Sequence, residues 1–146
     1  MVSQRGLYKS LKCMIDWTEQ QQDRSDYMLP KGYFSPKSWI KEFCTIKFGL
    51  PRQSGHTTFA KKLIGEIGTR VLYIAPNQQI LKHANLPPIN RMTVEGVANK
   101  QHLGRRFQMV IVDCASLLSQ RDLETLYDAF APMAHAEPCF VMLLLE

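Results

Sequence analysis

The residues most able to do chemistry lie together in Pro51-Arg52-Gln53-Ser54-Gly55-His56-Thr57-Thr58. In a phosphate-binding loop, backbone N–H groups wrap the phosphates and the helix that follows adds the positive end of its dipole. The full pattern is Gly-x-x-x-x-Gly-Lys-Ser/Thr. Gly55 and the hydroxyl of Thr57 fit it, and two positions depart. The first glycine falls one residue early, at Gly49, so Leu50 stands in its place, and His56 stands where the lysine belongs. Imidazole is shorter than lysine and, with an ordinary pKa near 6.5, mostly neutral at neutral pH unless a bound phosphate raises it. It offers one hydrogen bond in place of a permanent cation. Without a ligand, the same run reads as a Gly/Ser/Thr turn capping a helix.

Asp113 is the second candidate. It closes the apolar run Met109-Val-Ile-Val112, about 55 residues beyond the loop, where a phosphate-loop protein keeps the aspartate that binds the water shell of Mg²⁺. An aspartate ending a buried strand also serves as an ordinary turn former or helix cap.

These residues need elements to position them. Apolar spacing predicts an amphipathic helix over Gln4–Gln22, a polar loop to Gly32, and a short helix begun by Ser35-Pro36. Strands are predicted at Cys44–Phe48, Arg70–Ala75, Arg91–Val94, Met109–Val112 and Cys139–Leu145. Helices are predicted at Thr57–Glu66, Asn77–His83 and Ser119–Phe130. Strands that read as continuous apolar runs with helices between them imply an α/β fold with a parallel sheet covered on both faces. The division expected is a helical extension over 1–34 and an α/β domain over 35–146.

With these residues in view, the loop resembles the Arg-Gln-x-Gly-Lys-Thr-Thr loop in the ATPase domain of large terminase subunits, the DNA-packaging motors of tailed phages. Met109-Val-Ile-Val-Asp-Cys-Ala115 is similar to that family's apolar strand ending Asp-Glu-Cys-Ala, and Arg70-Val-Leu-Tyr-Ile-Ala-Pro-Asn77 resembles the second strand of helicase-like ATPases. The likeness covers roughly residues 40–146 and implies a RecA-like phosphate-loop core that binds ATP and Mg²⁺. It assigns Thr57 to Mg²⁺, Asp113 to its water shell and Arg52 to the γ-phosphate, with Pro51 to Thr58 as the nucleotide loop.

The departures bear on activity. His56 replaces the phosphate lysine, and Cys114 holds the position of the glutamate that activates water. A thiol does not accept a proton there as a carboxylate does. Glu146, ending the last strand, is a weak substitute. Losing either group costs several kcal/mol of transition-state stabilisation, so the expectation is a degenerate ATPase that binds nucleotide weakly or not at all and works as a regulatory or nucleic-acid-binding partner. One alternative is a working packaging ATPase assembled as a homo-oligomer, with Arg105, Arg106 or Arg121 reaching a neighbour's site. Another is an interaction module without nucleotide, docking through its first helix to an intact ATPase or another viral or host protein.

Composition narrows the classes. The chain has 146 residues and a net charge of +5, enough for one domain with a real core. Residues 1–62 hold 11 Lys/Arg against 5 Asp/Glu, and residues 63–146 hold 7 against 8, so the basic excess is all N-terminal. A basic surface attracts DNA by releasing counterions. Lys37 and Lys41, near Tyr33 and Trp39, and the pair Arg105-Arg106 are the candidate contacts, with a solvated helix face as the plain alternative. Cys13, Cys44, Cys114 and Cys139 are isolated, and none of the four histidines has ligand spacing to them, which argues against zinc. Three of the thiols are expected in the core. With no apolar run approaching about 20 residues and no secretory signal, no membrane association is expected, and a cytoplasmic setting is (the host's, for a viral protein).

Overall fold

Val71-Leu-Tyr-Ile-Ala75, Met109-Val-Ile-Val-Asp113 and Val141-Met-Leu-Leu-Leu145 are buried at every position. Strands without polar alternation must be covered on both sides, and the fold is built accordingly. A computed structural model describes residues 9, 12–20, 22, 33–49, 56–137 and 139–146. Five parallel strands, β1 (Thr45–Phe48), β2 (Val71–Ala75), β3 (Arg91–Thr93), β4 (Met109–Asp113) and β5 (Val141–Leu145), form one sheet in the order β1-β5-β4-β2-β3. The expected α/β class and parallel sheet are present.

Among the described residues six helices cover it: α1 (over 12–20), α2 (Pro36–Trp39), α3 (His56–Ile67), α4 (Gln78–Ala84), α5 (Val94–Ala98) and α6 (Gln120–Ala136). The path from β1 to β2 to β3 runs one way across the sheet, and the path through β4 to β5 runs back. Right-handed crossovers then put the connecting helices of the two paths on opposite faces. The core divides along that line. Alternate side chains Val71, Tyr73, Ala75, Met109, Ile111, Val141, Leu143 and Leu145 pack with Ile15 of α1, with Phe59, Ala60 and Leu63 of α3, and with Leu81 and Ala84 of α4. Leu72, Ile74, Val110, Val112, Met142 and Leu144 face Trp39 of α2, Val97 of α5, and Leu126 and Phe130 of α6.

Local signals explain most helix starts. Ser35 caps α2 by accepting from the Ser38 N–H, with Pro36 in the first turn, and Asn77 accepts from the Ile80 N–H to begin α4. Ser119 and Asp122 form a reciprocal capping box on α6. After Trp39 the chain widens into a π turn, Ile40–Cys44, before entering β1. Most boundaries fall within two residues of the sequence reading, and two differ in kind or by more. Val94, expected to end a strand, instead opens α5, capped by Thr93. Helix α6 runs six residues past Phe130 and carries Pro132 inside it, because Ala131 and Ala134 are buried against the sheet and outweigh the missing hydrogen bond. Of the cysteines only Cys44 is fully buried; Cys13 is exposed, and Cys114 and Cys139 are half-buried. No helix among the described residues is long and apolar enough to cross a membrane.

The segment between α5 and β4 is anchored by His102, which is 5% exposed and lies 5.3 Å from the Phe130 ring, centroid to centroid. Its Nδ1 has no hydrogen-bond partner, and burial, only partly offset by a bond to the Val97 backbone, holds its pKa below the ordinary 6.5. A depressed histidine pKa means the unfolded chain takes up the proton first. The contribution of neutral His102 is therefore complete above about pH 6.5 and is lost as pH falls below it, by no more than about 1.4 kcal/mol per pH unit. Urea unfolding of wild type and His102→Leu across pH 5 to 7.5 checks this; the stability of wild type relative to the variant should fall toward low pH.

Candidate functional site

In an open parallel sheet, ligands bind beyond the carboxyl ends of the strands, where outgoing connections leave on opposite faces. Here β2 leaves toward α4 on one face and β4 toward α6 on the other. β1 leaves toward α3, on the same face as α4. Phe48, Leu145 and Asp113 lie in one lateral row, because Phe48 pairs with Leu145 and Leu145 with Asp113. The loop that leaves β1 therefore starts level with Asp113, two strand spacings away, about 10 Å.

Alternation decides where the Asp113 side chain points. It shares a face with Met109 and Ile111, so it projects to the α3 side, as does Tyr73 two positions before the end of β2. The Tyr73 hydroxyl donates to Asp113 Oδ2, and the Thr57 hydroxyl, in the first turn of α3, hydrogen-bonds the Tyr73 oxygen. The other carboxylate oxygen, Oδ1, accepts from the Cys114 N–H at 2.8 Å. Burial, reinforced by the Asp113 charge and its hydrogen bond, pushes the Tyr73 phenol well above the ordinary tyrosine range, so it stays a proton donor. Cys114 itself has a left-handed backbone, φ 52° and ψ 41°, turning the chain out of β4. That conformation costs a side-chain-bearing residue about 1–2 kcal/mol.

Two of the sequence candidates, Thr57 and Asp113, thus meet, and they meet through Tyr73, whose role the sequence reading did not foresee. Thr58, beside Thr57, is exposed. Pro51, Arg52, Gln53, Ser54 and Gly55 lie outside the described residues; the His56 backbone begins α3, and its side chain is outside the description. Glu146 follows β5 on the same sheet edge, its N–H donating to the Phe48 carbonyl at 3.0 Å.

A divalent cation requires oxygen ligands turned toward it with their lone pairs available. Between Thr57 and Asp113 lies the Tyr73 hydroxyl, and each Asp113 carboxylate oxygen accepts one hydrogen bond, from Tyr73 and from the Cys114 N–H. Among the described residues no group of three or more His, Cys, Asp or Glu could hold a metal ion.

The four basic candidates are far from this edge or engaged with partners. Lys37 pairs with Glu124 and, at 3.0 Å, with Asp128; Lys41 pairs with Glu124 at 2.9 Å and lies over the Tyr127 ring. The two lysines hold the Glu124 carboxyl down to about 2, and the hydrogen bond to Glu124 raises Lys37. These contacts pin α2 to α6. Arg106 bonds Glu137 at 2.9 Å, together with Arg70 at 3.2 Å, and Arg105 donates to the Ile89 carbonyl while lying over Phe107. Arg70, Arg105, Arg106 and Glu137 precede β2, β4 and β5, at the amino ends of the strands and opposite Asp113. Arg121, in the first turn of α6, is exposed on the Asp113 side.

An apolar cleft of about 420 Å³ lies elsewhere, between α1 and β1, lined by Met14, Trp17, Thr45, Ile46 and Lys47 among others. The chain matches no model of a known protein family, no curated protein and no solved structure.

Proposed function

We propose that this chain is a degenerate phosphate-loop domain, similar to the ATPase domain of large terminase subunits, that binds the phosphates of ATP without turning it over and acts on a partner. The observation that carries the reading is the meeting of Thr57, at the start of α3, with Asp113, at the end of β4, on one face of the sheet edge that follows β1. The start of α3 and the end of β4 thus share the edge where a helix N-terminus can receive phosphate oxygens. Cys114 next to Asp113 is a thiol in a constrained turn and supplies no general base, which favours binding over hydrolysis. The partner, an intact ATPase or a nucleic acid, is left to the surfaces outside this edge, because Lys37, Lys41 and Arg106 already answer to carboxylates of this chain.

The test is a titration of a fluorescent ATP analogue, followed by an assay for phosphate release. Saturable binding that Thr57→Val weakens, without release, is the expected outcome. Release that rises steeply with protein concentration would favour an assembled ATPase using Arg121 of a neighbouring copy, and absence of binding at millimolar nucleotide would leave only a protein-interaction role.

A further inference from the structure

We propose that the amino-end rim of the sheet is a docking surface for an acidic protein segment that also carries apolar side chains. The proposal stands apart from the phosphate-loop reading, because none of its residues lies at the Asp113 edge. Charge is sorted along the strands in residues 63–146. Of their seven Lys/Arg, Arg70, Lys100, Arg105 and Arg106 lie in the connections that enter β2 and β4, and Arg91 is the first residue of β3. Among the described residues of the connections entering β2 to β5, Glu137 is the one carboxylate. It holds two of these cations without cancelling the group. Glu137 Oε1 accepts from Arg106 Nη2 at 2.9 Å and Oε2 from Arg70 Nη2 at 3.2 Å. The carboxylate side chain is 8% exposed and the Arg106 side chain 81%. Two guanidiniums on one buried acid leave positive charge at the surface, and holding them in place lowers the ordering cost of a contact. Arg105 is held too, over the Phe107 ring at 4.6 Å from its centroid and donating to the Ile89 carbonyl. The side chains of Ile89 and of Leu103, two residues before Arg105, are exposed.

Two features choose a protein partner over a nucleic acid. Four of the five rim cations are arginine, whereas residues 1–62 hold eight lysines to three arginines; protein interfaces are enriched in arginine and depleted in lysine. Ile89 and Leu103 offer aliphatic contact to a partner side chain and no ring face on which a base could stack. From β5 to β3 the rim runs over three strand spacings, about 15 Å, which an extended segment of about five residues covers.

Fluorescence anisotropy on the intact chain tests this with a labelled peptide of Glu-Glu-Leu repeats. Comparison peptides carry Ser for Leu or Lys for Glu, and duplex DNA is the nucleic-acid probe. The Glu-Glu-Leu peptide is expected to bind at least about fivefold more tightly than its Ser version, from partial burial of apolar side chains, and the Lys version not at all. Arg106→Glu should weaken the Glu-Glu-Leu peptide about tenfold, the scale of an interface arginine. Because Arg106 also partners a buried carboxylate, Leu103→Ser and Lys100→Glu repeat the test at exposed positions, and each should weaken binding about threefold. Lys61→Glu, the same charge change at an exposed position in the middle of α3, should leave affinity within about twofold. A loss in Lys61→Glu as large as in Lys100→Glu overturns the proposal, since net charge and not the rim is then being read. Equal affinity for the Ser peptide overturns it, as does absence of Glu-Glu-Leu binding at low salt. Tighter binding of duplex DNA that Arg106→Glu abolishes overturns it in favour of a nucleic-acid face. Failure of the ATP-analogue titration changes none of these outcomes.

Discussion

Adding Cys114→Glu to a Tyr73→Phe, His56→Lys double variant is expected to raise ATP hydrolysis in magnesium by about 10²–10⁴-fold, the contribution of a positioned general base. The double variant is the right reference, because it opens the Asp113 carboxylate and supplies a permanent cation while still lacking a group to take the proton from water. Its own gain over wild type should appear as affinity: a lysine at position 56 replaces a mostly neutral donor, worth about tenfold to a hundredfold in binding. Cys114 follows Asp113 directly and its N–H donates to Asp113 Oδ1 at 2.8 Å, which puts position 114 beside the site. The left-handed turn at Cys114 sets the stability cost of the change no higher than it already is for a residue with a side chain. Steady-state phosphate release and analogue titration on the three proteins check both steps. Equal rates with and without Glu at 114 would remove that position as the water-activating one.

Phe130→Ala is expected to cost about 3–5 kcal/mol of stability, as for a fully buried aromatic that leaves a cavity. Phe130 is 0% exposed on α6, in the face formed by Leu72, Val110, Val112 and Leu144, and its ring shields His102. Urea unfolding measures the loss. A second signal accompanies it: with water admitted beside the imidazole, the His102 pKa should move up toward 6.5, visible in an NMR titration. The change lies on the sheet face away from Tyr73, so the surviving folded fraction should keep its nucleotide affinity. A loss under 1 kcal/mol would mean that α6 does not pack on the sheet through this ring.

Much of the architecture could be read from residue order because burial on two sides leaves a plain mark. Val71-Leu-Tyr-Ile-Ala75 and Val141-Met-Leu-Leu-Leu145 have no polar interruption, and only a covered parallel strand tolerates that. The cap at Ser35 was equally readable, since a hydroxyl before a helix does local work, whereas Ser119 reads as the first helical residue until its capping box is seen. Helix α5 escaped because five residues, one of them Gly96, are too few to show a period. The predicted helix stops at Phe130, whereas α6 runs on through Pro132 because Ala131 and Ala134 pack against the core. The candidate site was half legible. Thr57 and Asp113 stood out by type and spacing, whereas Tyr73 reads as a strand aromatic until the β2–β4 register shows which face it shares with Asp113. The basic helix face misled for the same reason: the carboxylates that answer Lys37 and Lys41 lie on α6, more than 80 residues away in sequence.

The strand order also has a kinetic meaning. β1, from which the chain runs on to α3, joins the sheet only by pairing with β5, nearly 100 residues further along the chain. Until β5 inserts between them, β1 and the β4-β2-β3 unit have no hydrogen-bonded edge in common. Such distant pairing is slow to form, and it couples the site to the most delayed event in folding. Any partial unfolding that withdraws β5 would release the loop strand while leaving the half that carries Tyr73 and Asp113 assembled.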